Sequence, residues 1–154
     1  MIQLDFYLKG FIMKVILPLV YSLLLIFSLT ACNDIIESTP QISADDQILK
    51  NAYENKISDI QVHGLGSVTK ELSDDTSGNK HQRFILKLTS GQTLLISHNI
   101  DISTKIDTLF VNDSVEFYGE YVWNSEGGLV HWTHHDPNHK HTDGWLKHKG
   151  IKYD

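Results

Sequence analysis

From Ile60 to His135 the apolar side chains fall mostly on every second residue, a period that admits strands and excludes long helices. Ile60, Val62, Gly64, Gly66 and Val68 share one face of a first strand, and its two glycines predict a tight bend, as at a barrel corner. After a turn-rich loop at 73–80, Phe84, Leu86 and Leu88 point one way and Arg83 and Lys87 the other. Ser90-Gly91 turns the chain into a third strand, where Leu94, Ile96, His98 and Ile100 share a face. Val115, Phe117, Gly119 and Tyr121 define a fourth, and Leu129 to His135 a fifth, across a hairpin loop at 124–128.

Two stretches carry a helical period. Ser43 reads as an N-cap before Ala44-Asp45-Asp46, with acids in the first turn where the helix dipole favours them. Ile48, Leu49, Ala52 and Tyr53 then give a helix over about residues 44–57 one apolar face. Ile102, Ile106 and Leu109 are spaced for a second helix of about two turns between the third and fourth strands. Residues 136–154 show no period and read as an irregular, His-rich tail. The expectation is a mainly β fold: a small five-stranded OB-like Greek-key barrel with a short N-terminal helix.

The chain's other extreme is its start. Residues 15–31 carry no charge, follow Met13-Lys14, and end in Leu29-Thr30-Ala31-Cys32. A basic start, an apolar core of 17 residues and small residues before a cut are the parts of a secretory signal. The terminal four resemble the bacterial lipobox, whose Cys receives a diacylglycerol and becomes the mature N-terminus. The expected division is therefore a lipoprotein signal peptide at 1–31, with Met13 as the expected initiator, lipidated Cys32 and a tether at 32–42, and one OB-like domain at 43–154. Several acyl chains anchor a protein stably where one holds only marginally. Asn33 is not the Asp that retains lipoproteins at the inner membrane, so the resemblance implies the outer membrane, facing the periplasm.

Charge narrows the partners. The net charge is −6, and beyond Cys32 eleven basic residues face eighteen acidic ones. Nonspecific binding to nucleic acid or anionic headgroups needs clustered Lys and Arg, and this chain has one Arg, Arg83. Cys32 is the single Cys, which excludes a disulfide scaffold.

Several segments carry a family resemblance. They are His81-Gln82-Arg83-Phe84-Ile85-Leu86, Gly91-Gln92-Thr93-Leu94-Leu95-Ile96 leading to His98-Asn99-Ile100-Asp101, and Gly119-Glu120-Tyr121 with Trp123-Asn124. The most specific is His131-Trp132-Thr133-His134-His135-Asp136-Pro137 ahead of Gly144-Trp145-Leu146, His148 and Gly150. Over roughly residues 60–154 the chain is similar to the bacterial domain-of-unknown-function family 3465. The resemblance implies a small exported protein with an OB-like barrel and brings no activity with it. The family's usual acidic residue after Tyr121 is Val122 here, so no role for that carboxylate transfers.

Six of the nine histidines lie between His131 and His148. Imidazole and carboxylate donors suit divalent transition ions such as Zn²⁺, Cu²⁺ or Ni²⁺. Strand alternation puts His131, Thr133 and His135 on one side and Trp132 and His134 on the other, with His98 ending an inward face. Asp136, His139, His141, Asp143 and His148 lie within chain reach of the same barrel end. The candidate metal ligands are His98, His131, His134, His135 and His148. No spacing equals a known metal motif, and the competing reading has these rings holding backbone in a packed tail or standing in solvent. Trp123, Trp132 and Trp145 are expected to plug the ends or rim of the barrel.

Three functions fit. The first is a periplasm-facing lipoprotein whose barrel binds a small ligand or a transition metal through the histidine cluster. The second is a metal-dependent hydrolase, nuclease- or phosphodiesterase-like, with catalytic candidates His98, His135, Asp136, Arg83 and Glu120 and a further role for Asp74. The third is a structural envelope lipoprotein that binds a protein partner.

Overall fold

A computed structural model describes residues 41–154. The expected signal peptide, Cys32 and nearly all of the expected 32–42 tether lie outside the described residues. The described residues all belong to one compact unit. Among the described residues no helix is long and apolar enough to cross a membrane.

The first element is helix α1, Ala44–Glu54. It starts where the sequence places it: the Ser43 hydroxyl accepts the Asp46 N–H at 3.0 Å. The buried face differs from the expected one. Leu49, Ala52 and Asp46 are buried, while Ile48 stands 52% exposed. The Asp46 carboxylate accepts the Ser90 N–H at 3.0 Å, so Asp46 rather than Ile48 lies on the docked face.

Seven strands follow: β1 (Ile60–Glu71), β2 (His81–Leu88), β3 (Thr93–Asn99), β4 (Ser114–Val122), β5 (Leu129–His131), β6 (Trp145–His148) and β7 (Ile151–Tyr153). They hydrogen-bond in the order β1-β2-β3-β5-β4, and β4 returns to β1. That is a closed five-stranded barrel with β3 and β5 parallel, the OB-like Greek key the strand pattern predicts. Closure falls on β1. Its residues Ile60 to Ser67 pair with β4 and Gly66 to Glu71 pair with β2, so Gly66 and Ser67 are shared. The glycines are there for close approach. A Cβ on Gly64 would lie 2.4 Å from Phe117 Cζ, and one on Gly66 3.0 Å from the Lys87 carbonyl oxygen.

The core holds the alternating residues the sequence marks, Val62 and Val68, Phe84, Leu86 and Leu88, Leu94 and Ile96, Val115, Phe117 and Tyr121, joined by Val130, Leu146 and residues of α1 and the 100–113 segment. Each large apolar side chain so buried contributes about 1.5–3 kcal/mol.

Three expectations are corrected. The helix anticipated over Ile102 to Leu109 is absent: residues 100–113 run as turns and extended chain. Ile106 and Leu109 are buried while Ile102 is 53% exposed, so the three do not share a face. The buried Gln82 side chain fixes this segment by a paired amide contact, donating to the Ile106 carbonyl and accepting its N–H, both at 2.9 Å. Next, the fifth strand stops at His131, because Trp132 takes a left-handed φ of 50°. Finally, the tail is not wholly irregular. β6 pairs antiparallel with β4 and β7 with β6. Lys149 and Gly150, at φ 49° and 82°, make the two-residue turn that such a hairpin favours.

The Gln82 contact carries a testable consequence. Gln82→Leu leaves the buried Ile106 N–H and carbonyl unpaired, and each such group costs about 1–3 kcal/mol. Urea unfolding is expected to show a loss of that order, with residues 100–113 gaining protease sensitivity.

Candidate functional site

β4 uses a single edge twice. Glu120 pairs with His131 of β5, and Tyr118 pairs with Trp145 of β6. The chain therefore leaves this edge after His131 and rejoins it at Trp145. Residues 132–144, which hold most of the histidine cluster, are an excursion between two nearly adjacent anchor points. Two glycines make the neck possible. A Cβ on Gly119 would sit 2.5 Å from the His131 carbonyl oxygen and 2.8 Å from the Thr133 methyl, and one on Gly144 only 1.9 Å from the Trp132 carbonyl oxygen. The Gly144 N–H donates to the His134 carbonyl at 2.9 Å, closing the neck.

Asp136 organises the interior of the excursion. Its carboxylate accepts the backbone N–H groups of Asn138 at 2.9 Å, Lys140, and His141 at 2.9 Å. Burial opposes its charge, but those N–H groups and the neighbouring His141 ring overcome the penalty and hold its pKa at about 2. The Asp136 N–H in turn donates to Asp143 at 2.8 Å. This carboxylate, a base candidate in the sequence, is occupied in shaping the loop.

The left-handed turn at Trp132 ends the strand alternation expected for 131–135. Thr133 and His134, neighbours in sequence, are both buried, and His135 is exposed. Four rings gather here. Trp132, 36% exposed, stacks on His141 at 4.2 Å between centroids and lies 4.9 Å from His131. His134 meets His141 edge-on at 5.0 Å and Trp132 at 5.9 Å. A bulky residue at positive φ is a strained feature that persists only where its surroundings over-determine it, and such strain concentrates at functional sites.

The hydrogen bonds of each imidazole decide what it has left to offer. His98 is fully buried, with Nε2 donating to the Thr104 carbonyl at 3.3 Å and Nδ1 accepting the Thr133 hydroxyl at 2.9 Å. Both nitrogens are used, and burial lowers its pKa to about 4, so the ring is a neutral core strut. His148 on β6 bonds Asp113 at 2.8 Å, and the same carboxylate also takes Lys149 and the Phe110 N–H. His131 pairs with Glu120 at 3.2 Å and His135 with Asp143 at 2.9 Å.

His134 and His141 differ from these. His134 donates from Nδ1 to the His135 carbonyl at 2.7 Å, and His141 from Nδ1 to the Thr142 carbonyl at 2.8 Å. In its neutral form each ring keeps its Nε2 lone pair, because Nδ1 then carries the proton. That of His134 is buried with no hydrogen-bond partner among the described residues, and burial lowers the ring's pKa, which favours the unprotonated form. His141 Nε2 lies 3.8 Å from Asp136 Oδ2. His141 was visible in the sequence only as one more histidine in the cluster; its pairing with His134 depends on the fold of the excursion.

The remaining candidates sit elsewhere. Arg83 donates from Nε and Nη2 to the Ser73 carbonyl at 3.1 and 3.0 Å. Asp74 pairs with Lys105. Asp75 makes a side-chain turn within the turn-rich loop at 73–80, accepting the Ser77 N–H at 3.0 Å. Trp123 packs against the core and donates to the Tyr53 carbonyl at 3.0 Å. Among the described residues no group of three or more His, Cys, Asp or Glu side chains is arranged to hold a metal ion.

The depressed pKa values of His98 and Asp136 predict a two-step acid response. Below 6.5 the unfolded chain binds a proton that buried His98 refuses until about pH 4, so stability falls across that window. A second loss, centred on the excursion, begins below 3.8 and completes near pH 2, as Asp136 is protonated. Urea midpoints measured against pH are expected to show the first loss in the wild-type chain and a flatter profile in His98→Gln. Trp132 emission is expected to follow the second.

No protein of curated function matches this chain. One family model does, described as a protein of unknown function (DUF3465), and it covers residues 32–154, further toward the N-terminus than the motifs alone suggest. The closed barrel, the β4 excursion and its histidine cluster are thus the frame of a DUF3465 protein, the family to which this chain belongs.

Proposed function

We propose that the excursion binds a divalent first-row transition ion through His134 Nε2 and His141 Nε2, on a domain that Cys32 tethers by lipid to the outer membrane, facing the periplasm. The observation that carries the reading is the buried, unpartnered Nε2 of His134. An imidazole whose Nδ1 donates to a carbonyl is oriented and made a better donor at Nε2, which is how ligating histidines are usually held. The ring spacing suits one ion. With bonds of about 2.0–2.1 Å, two imidazoles on a tetrahedral centre stand about 5 Å apart, centre to centre, and His134 and His141 stand at 5.0 Å. Asp136, already committed to backbone N–H groups, orients the His141 segment, and water or a small ligand fills the remaining coordination positions. Imidazole donors favour Zn²⁺, Cu²⁺ and Ni²⁺ over Ca²⁺ and Mg²⁺.

The tether rests on different residues. Leu29-Thr30-Ala31-Cys32 closes an uncharged run, and the family match begins at the same cysteine.

Trp132, stacked on His141, supplies the readout. Cu²⁺ added to the purified chain is expected to quench Trp132 emission saturably, and Zn²⁺ to compete with it. His134→Ala and His141→Ala each abolish the saturable phase, while His131→Ala and His135→Ala keep it. Binding fades at acid pH, because a protonated imidazole has no lone pair to give an ion. Unchanged affinity in the His134→Ala/His141→Ala double variant, shown by its melting curve to be folded, would refute the site. The tether is tested separately by fractionation: Cys32→Ser is expected to move the protein from the membrane to a soluble fraction and to remove acyl labelling.

A further inference from the structure

Away from the excursion, one imidazole joins two parts of the molecule. His63, on the outer face of β1, has Nδ1 2.8 Å from Asp45 Oδ2 of α1 and Nε2 2.9 Å from Glu116 Oε1 of β4. We propose that His63 is a proton-operated latch that fastens the first turn of α1 to the barrel. The latch is independent of metal binding, because His63 contacts neither His134, His141 nor Asp136.

The number of N–H donors on the ring sets the strength of the hold. An imidazolium has two N–H groups, and here both have a carboxylate acceptor within 3 Å. Such charge-assisted bonds are the stronger kind. A neutral ring has one N–H for the same two carboxylates, so one nitrogen then turns a lone pair on a carboxylate oxygen. Either the bond to Asp45 is lost, or it survives without the charge of the imidazolium. In both cases the hold on α1 weakens, while β1 and β4 stay joined by their own backbone ladder.

Tyr118 of β4 stands directly opposite His63 in the ladder. Asp45 faces it from α1, Glu116 from β4, and the Trp145 ring from β6 at 5.8 Å. Lys147 of β6 reaches it through Glu116, at 3.4 Å from Oε2. Asp46, next to Asp45, is turned to the Ser90 N–H instead. Partial burial opposes protonation of His63, but the bonds and charges of Asp45 and Glu116 outweigh it, so its pKa is raised above 6.5. By linkage, the latch is closed below pH 6.5 and is lost as pH rises through the raised value. The ring is 40% exposed, which limits the effect to a few-fold, the range of partly solvated ion pairs. The rest of α1 stays docked through Leu49, Ala52 and the Asp46–Ser90 bond, so what opens is the first turn.

The test is amide exchange on the full-length chain in mild detergent, read as protection factors, which remove the intrinsic effect of pH on exchange. From pH 6 to pH 8.5 the amides of Gln47, Ile48 and Leu49 are expected to lose protection about two- to fivefold relative to Ile96 of β3. His63→Gln removes the pH dependence, and Asp45→Asn does the same from the helix side without touching the strand. A flat wild-type profile would overturn the latch. So would the same loss of protection in either variant.

Discussion

The barrel exists because one strand serves two neighbours. β1 pairs with β4 along its first half and with β2 along its second, and at Gly66 and Ser67 it does both. A strand can turn between two partners in this way only where its inner face is narrow enough for the opposite wall to come close. Gly64 and Gly66 supply that, and the Phe117 ring and the Lys87 carbonyl take up the room. A closed barrel has no open edge along these five strands, so their backbone polar groups are satisfied within the sheet. The positions of the excursion and of α1 follow from this closure, since each is anchored to a strand whose place it sets.

Within that frame the histidines divide by what their neighbours demand of them. His98 gives both nitrogens to Thr104 and Thr133, and His148 is held by Asp113. These rings are fasteners. His63 fastens too, but its two carboxylate partners belong to different elements. The pair in the excursion have Nδ1 tied to a backbone carbonyl, and of their outer nitrogens that of His134 is buried without a partner while that of His141 stands 3.8 Å from Asp136. Counting histidines gives no access to this distinction; it lies in the acceptor each ring faces.

Much of the fold was legible in the sequence because burial on a strand has a period of two. Phe84, Leu86, Leu94, Ile96, Val115 and Phe117 announce their face by spacing alone, and Ser43 announces the helix start by its side-chain chemistry. What was not legible depended on long-range contacts. The spacing of Ile102, Ile106 and Leu109 fits a helix as well as a plugging loop, and the choice is made by Gln82, more than twenty residues upstream in sequence. β6 and β7 are four and three residues long, too short for a period, and the left-handed Lys149 that turns between them has no turn-forming side chain to announce it. The site was legible as a cluster and not as a geometry. Alternation assigned His131, Thr133 and His135 to one face, and the left-handed Trp132 cancels that assignment.

The excursion leaves and rejoins β4 at residues only two apart, Glu120 and Tyr118. Its ends are therefore already together, whatever lies between them. For such a segment the closure entropy rises slowly with length, by only about 0.6 kcal/mol for each doubling. Residues between the neck and Asp143 can thus be lengthened at little cost to the barrel, provided that Thr133 keeps its bond to His98 and Gly144 its place at the neck.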